Sequence, residues 1–177
     1  MLELTNIEKR FGRLQALRGV CVSAREGTIH GLIGENGAGK STLMKVLTGF
    51  VHMTGGEIRL RGNRVHPGGP RDAMALGIGM LYQEPLDFPQ LSVLENFIAG
   101  QAAYAPTAAR QRLARLAQDF SFHLRADDLV GDLTVGERQQ LELLRLIDGG
   151  ASVLILDEPT TGISAQQQEV LFAALRR

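Results

Sequence analysis

Apolar and polar positions alternate over Leu2–Ile7 and again over Gly19–Ala24, the two-residue period of half-buried strands. Thr28–Ile33 is a short apolar run closed by Gly34, which predicts a buried strand. From Lys40 the period lengthens, and Leu43, Val46 and Leu47 fall on one face of a predicted helix. Gly55 and Gly56 end that region. Glu57–Leu60 and Arg64–Val65 flank Arg61-Gly62-Asn63, the pattern of a hairpin, and Ile78–Tyr82 is a further short strand.

The second half changes character. Leu91–Gly149 reads as helical, and Leu113, Leu116, Ala117, Phe120 and Leu124 keep the three-and-four spacing of one buried stripe. Arg110, Arg112, Arg115 and Asp119 lie mostly elsewhere around that helix and read as a solvated face. Strand character returns at Ser152–Leu156, and the final segment, Ala165–Arg177, is helical with no stop signal. This order predicts an α/β domain with an all-helical arm between two of its strands.

Composition narrows the class. The 177 residues suit one main domain, with 44% hydrophobic and 21% charged residues. Lys plus Arg balances Asp plus Glu at 19 each, so no basic excess favours a general nucleic-acid surface. Cys21 is the only cysteine, which leaves no internal disulfide and no thiolate cluster for zinc; it reads as a small buried strand residue in a reducing compartment. Met1–Arg10 carries no apolar core of a secretory signal. The longest aliphatic run, Val153–Leu156, is far short of the roughly 20 residues of a membrane helix. Any work at a membrane would require docking onto another protein. The glycines stand at element boundaries, where turns and close backbone approach need them.

Two segments carry chemistry. Gly34, Glu35, Asn36, Gly37, Ala38, Gly39, Lys40 and Ser41, followed by Thr42, satisfy G-x-x-x-x-G-K-[ST] between a predicted strand and a predicted helix. The glycines let successive N–H groups point inward at phosphate oxygens, and the helix adds its N-terminal partial charge. Lys40 is placed to reach the β- and γ-phosphates, and the Ser41 hydroxyl to ligate Mg²⁺. Further along, the aliphatic run Val153–Leu156 ends in Asp157-Glu158. A buried strand ending in Asp delivers a carboxylate to the edge of the sheet where ligands of open α/β folds bind. Asp157 is placed to hold Mg²⁺ through water, and Glu158 to orient or deprotonate an attacking water.

Three further segments resemble the ATP-binding cassette (ABC) ATPases. Leu133, Thr134, Val135, Gly136 and Glu137, running on to Arg138 and Gln139, are similar to the ABC signature and precede the Asp157 strand at the family's interval. Gln83, in Tyr82-Gln83-Glu84-Pro85, stands where the family has its Q-loop glutamine, and Phe11 where it has an adenine-stacking aromatic. Gly31–Gly37, Ala75–Met80, Leu91–Phe97 and Leu133–Gly136 resemble the cassettes of simple-sugar and nucleoside importers, where two cassettes often share one polypeptide; this chain resembles the first.

The resemblance covers Leu2 to about Ser164 and implies a P-loop NTPase fold. That fold has a RecA-like core, an N-terminal antiparallel β subdomain and a helical signature subdomain. The expected boundaries are residues 1–84 and 150–177 for the catalytic core and 85–149 for the helical subdomain, whose arm docks a permease. It further implies ATP and Mg²⁺ as cofactors, with Gln83 also near the metal and the attacking water. Two cassettes sandwich two ATPs, so that Thr134 and Gly136 serve the ATP held by the partner. Permease subunits, a substrate-binding protein acting through them, and a location on the cytoplasmic face of the cell membrane complete the expectation; nucleic acid is not expected. Other readings are a regulatory cassette with little turnover and a soluble ABC ATPase of DNA repair or translation.

Several positions depart from the family. Thr134 stands for its Ser, Val135 for its first Gly, Glu137 for its Gln, and Ser164 lies near its D-loop Asp. Thr134 and Glu137 also form a T-x-x-E capping box for a helix expected over Gly136–Ile147. His30, His52, His66 and His123 do not match the family's switch histidine. The expectation is a cassette incomplete at its C-terminus, with apolar surface left open at the middle of its sheet.

Overall fold

A computed structural model describes residues 1–83, 85–100 and 105–176. Glu84 of the expected boundary, residues 101–104 of the expected arm, and Arg177 lie outside the described residues. The chain divides into two compact units, Met1–Gly79 and Met80–Arg177.

The first unit is built on an antiparallel sheet. Strands β1 (Leu2–Phe11) and β2 (Leu14–Ala24) form a hairpin that turns at Gly12-Arg13. Strands β3 (Gly55–Leu60) and β4 (Asn63–Val65) extend it in the order β2-β1-β3-β4. Leu2 and Leu4 are buried on one face, and Ile7 rejoins that face because the register of β1 shifts between Leu4 and Ile7. A bulge inserts an unpaired residue and so resets the two-residue alternation. Asn6 sits at that shift with φ 52°, and its backbone N–H donates to the Cys21 sulfur at 3.2 Å. Cys21 is exposed on β2, contrary to the expected buried position, because it alternates with half-buried Val20 and Val22 and so takes the open face.

Opposite the bulge, Gly56 has φ 96°, and a Cβ there would lie 2.4 Å from the Asn6 carbonyl oxygen. Only glycine fits so close an approach. Helix α1 (Lys40–Leu47) buries Leu43, Val46 and Leu47, the face that its period predicts, and the short helix α2 (Pro70–Ala75) follows β4.

Strand β5 (Ile78–Leu81) spans the junction of the two units and pairs with β6 (Val153–Leu156) in a two-stranded sheet. Among the described residues of the second unit, the α-helices are α3 (Val93–Ile98), α4 (Pro106–Asp119), α5 (Val135–Asp148) and α6 (Ala165–Leu175). Phe97, Leu113, Leu141, Leu144 and Leu171 are central to its core. Helix α4 stops at Asp119, so Leu124 joins the core from the loop beyond rather than from the helical stripe. The arginine face of α4 is less free than its spacing implied. Arg110 grips Asp127 with two bonds of 2.6 and 2.8 Å, and Arg112 reaches the buried Asp148 side chain at 2.7 Å.

Asn96 organises the approach to α3. It is 0% exposed, its Oδ1 accepts from the Phe88 N–H at 2.8 Å, and its Nδ2 donates to the carbonyls of Phe88, Leu91 and Ser92. One amide side chain thereby satisfies backbone groups of a loop that is otherwise held by its bonds to residues 128–131.

Candidate functional site

The phosphate-loop motif lies in the first unit. The expected strand over Thr28–Ile33 is absent, and Ile33 is 95% exposed, with Ile29 and Leu32 also open. A central strand is held by ladders on both edges, and among the described residues no strand pairs with this segment. The apolar run therefore lacks the neighbours that would bury it. The loop itself keeps its shape. Gly37 and Gly39 have φ of 84° and 91°, and the Ala38 N–H donates to the Glu35 carbonyl at 3.1 Å. A Cβ on Gly39 would lie 2.8 Å from the Ala16 carbonyl oxygen on β2, so the glycine lets the loop seat against the sheet.

Lys40 opens α1, and its ammonium donates to the carbonyls of Gly34 and Glu35 at 2.6 and 2.9 Å. The cation is curled over its own loop, and a bound phosphate would exchange these carbonyls for charged oxygens. Ser41 is exposed in the first turn, beside Thr42. Phe11 ends β1 with 47% of its surface exposed, and the Lys9 ammonium lies 4.8 Å from its ring centroid. An exposed ring at a strand end offers a π-face to a base or cation.

The acidic pair and the signature lie in the second unit. Asp157 follows β6 directly, and its N–H donates to the Leu81 carbonyl of β5 at 3.1 Å. That bond holds the end of β6 against the strand from which exposed Gln83 emerges. Glu158 is exposed with φ 47° in the left-handed region, where a side chain other than glycine costs roughly 1–2 kcal/mol. Thr161 returns its N–H to the Glu158 carbonyl at 3.1 Å and its hydroxyl to the Glu158 carboxylate at 3.5 Å.

Thr134 is the N-cap of α5 and completes the expected capping box with Glu137. The helix extends one residue beyond the expected span at each end. The Glu137 Oε2 accepts both the Thr134 N–H and its hydroxyl, at 2.8 and 2.7 Å. A residue that the sequence reading did not single out joins them: Gln167 donates from Nε2 to Thr134 Oγ1 at 3.2 Å. The spacing Ser164-x-x-Gln167 is itself a capping-box signal, and both halves of that box form at the start of α6.

A second unforeseen group surrounds the far side of α5. Glu142 is buried and Arg145 mostly so, while Asp87 closes the same cluster with Arg138 at 3.8 Å. Burial pushes the Glu142 carboxyl up to about 7, with Arg145 opposing and Asp87 reinforcing that rise. Burial also raises Asp87, against the pull of Arg138 and Arg145. No signal in the sequence separates these charges from a solvated helix face.

Residues 17–161 match the ABC transporter family. The chain belongs to the ABC transporter family. The cassette motifs read from the sequence fall largely inside the matched span, Phe11 alone preceding it. The chain is 40% identical to the ribose import ATP-binding protein RbsA of Yersinia pestis and 41% identical to RbsA 2 of Escherichia coli O157:H7. Each alignment covers 100% of this chain and 36% of the relative, so the chain spans about a third of those proteins. Among solved structures, a nucleotide-free ATP-binding cassette of an ABC transporter superposes with a TM-score of 0.86 at 26% identity, over 99% of this chain and 75% of that one. The ADP conformation of a cassette gives 0.85 at 26%, over the same shares. These likenesses agree with the P-loop NTPase fold expected of the chain.

Proposed function

We propose that this chain is the nucleotide-binding part of an ATP-hydrolysing subunit that drives import of a simple sugar or nucleoside. The observation that carries the reading is the Gly34–Thr42 loop, with its left-handed glycines and its lysine folded over the phosphate position, in a chain about 40% identical throughout to ribose import ATP-binding proteins. Residues 1–84 with 150–177 form the catalytic core in this reading, and 85–149 the helical subdomain.

Lys40 and the loop N–H groups of Gly34, Glu35, Asn36, Gly37, Ala38 and Gly39 hold the phosphates, with Thr42 closing the turn. Phe11 stacks on the base. The hydroxyl of Ser41 and the carboxylate of Asp157 are hard oxygen donors, and with the amide oxygen of Gln83 they suit Mg²⁺. Bound there, Mg²⁺ supplies charge neutralisation at the phosphate oxygens. Glu158 accepts a hydrogen bond from the attacking water and aligns it, and Gln83 steadies that water from the other strand. Leu133, Thr134, Val135, Gly136 and Glu137 present the N-terminus of α5 to the ATP of a second cassette. Permease subunits take up the motion, and a substrate-binding protein delivers the cargo to them. The site of work is the cytoplasmic face of the membrane. No helix among the described residues is long and apolar enough to cross it.

One observation favours a second reading, a regulatory cassette with little turnover: the Glu137 carboxylate holds both Thr134 donors that would meet a phosphate. Titration with Mg·ATP by calorimetry, followed by phosphate-release assays, separates the two. Binding that disappears in Lys40→Ala, together with hydrolysis that disappears in Glu158→Gln while binding persists, supports the motor. Binding without hydrolysis in the unaltered full-length protein supports the regulatory cassette.

A further inference from the structure

The hydroxyl of Thr134 has one proton to give and two lone pairs to fill. Its proton goes to Glu137 Oε2 at 2.7 Å. One lone pair takes the Glu137 backbone N–H at 3.3 Å, and the other takes the Gln167 side-chain N–H at 3.2 Å. Both accepting positions are thus filled by N–H donors, and the only remaining freedom of the hydroxyl is where its proton points.

The Gln167 amide is itself held at both ends. Its Oε1 accepts the Ser164 N–H at 2.9 Å, which fixes the side chain as part of the cap of α6. Beneath it lies Gly136, where a Cβ would come within 2.5 Å of Nε2 and 2.6 Å of Cδ. The bare backbone of Gly136 is what lets the amide lie flat across the first turn of α5. A single side chain therefore ties the start of α6 to the start of α5.

We propose that Gln167 is a positioning residue for Thr134: its amide fills the last accepting position of the hydroxyl, so that Thr134 meets the phosphate of the partner cassette's ATP only as a donor. This rests on the reading of Thr134 as a phosphate contact. An anionic oxygen needs a donor, and a hydroxyl free to rotate would spend part of its time presenting a lone pair instead. Glu137 holds the proton until the phosphate arrives, and its Oε2 still accepts the Thr134 backbone N–H, which keeps the cap. The N–H from Gln167 stays in place throughout.

Gln167→Glu removes the N–H while keeping an acceptor for Ser164, and Gln167→Met removes it without adding a charge beside the phosphate, which separates the lost hydrogen bond from repulsion. A carboxylate there still accepts the Ser164 N–H and keeps the α6 cap, but it has no N–H for Thr134 and competes for the hydroxyl proton. The measurement is Mg·ATP-dependent pairing of cassettes in the full-length protein, on a Glu158→Gln background, by light scattering. Mg·ATP binding and the thermal midpoint are followed alongside. Gln167→Glu is expected to raise the ATP concentration needed for pairing by about 10-fold, the size of one lost hydrogen bond to a polar partner. Nucleotide binding to the Lys40 loop and the midpoint should hold. Thr134→Ala is expected to weaken pairing, and the uncharged Gln167→Met should add nothing on top of it, whereas a purely structural role would add. Normal pairing in Gln167→Glu beside weakened pairing in Thr134→Ala overturns the inference and leaves the signature reading standing. Additive losses overturn it too. Normal pairing in Thr134→Ala, or no pairing of the parent protein, overturns the signature reading and the inference with it.

Discussion

Replacing Glu142 by Gln tests whether burial controls this carboxyl. Glu142 is 7% exposed on α5, its Oε2 has no partner among the described residues, and the Arg145 charge, followed by a backbone hydrogen bond from Leu86, relieves part of its burial. Desolvation outweighs the attraction of Arg145, and the carboxyl rises from 4.5 to about 7. A raised carboxyl binds its proton more tightly in the folded chain than in the unfolded one. Stability is therefore greatest below pH 4.5 as far as this group is concerned, declines as pH rises through about 7, and is level above that. The displacement corresponds to about 3 kcal/mol between the two ends of that window. Asp87 is raised as well, so its contribution has the same sign.

Glu142→Gln keeps the shape and removes the titration. Its amide leaves donors unmatched, which costs roughly 1–3 kcal/mol at every pH. The informative quantity is thus the difference between variant and parent across pH, in which titrations common to both cancel. Urea unfolding followed by circular dichroism from pH 4.5 to pH 8 should show the variant gaining about 2–3 kcal/mol on the parent over that range. Parallel pH–stability curves for the two proteins would refute the reasoning, since they would mean the Glu142 carboxyl ionises in the folded chain as it does in water.

Two further substitutions probe the scaffold. Asn96→Ala removes four hydrogen bonds to the 88–92 backbone and should lower unfolding free energy by about 2–4 kcal/mol, with faster amide exchange confined to that loop. Gly56→Ala puts a methyl 2.4 Å from the Asn6 carbonyl at a φ of 96°, and should cost about 3 kcal/mol in the same unfolding assay; an unchanged midpoint would mean the bulge relaxes freely.

Much of this arrangement is legible along the chain. The α1 stripe, the β3–β4 hairpin, the β6 run into Asp157 and the Thr134–Glu137 box are all set by neighbours within a turn or a strand length. Local periodicity and capping chemistry act over such distances, so the residues carry their own instructions. The phosphate-loop shape belongs here too, since its glycines and Lys40 bond within the loop.

What escaped the sequence depends on partners far along the chain. The run Thr28–Ile33 has the composition of a buried strand, but burial needs neighbouring strands, and none among the described residues pairs with it. Cys21 is exposed because it faces away from half-buried Val20 and Val22 on β2, opposite the bulge at Asn6. Gln167 meets Thr134 across 33 positions, and Asp87 meets Arg138 and the Glu142 cluster across a loop. The sequence by itself determined most of the elements, their caps and the chemical groups at the phosphate loop and the acidic pair. Tertiary structure alone decided which strand runs are covered, which carboxyls lose their water, and which amide meets the signature hydroxyl, because ladder pairing, desolvation and side-chain bridges are set by distances in space that no local spacing encodes.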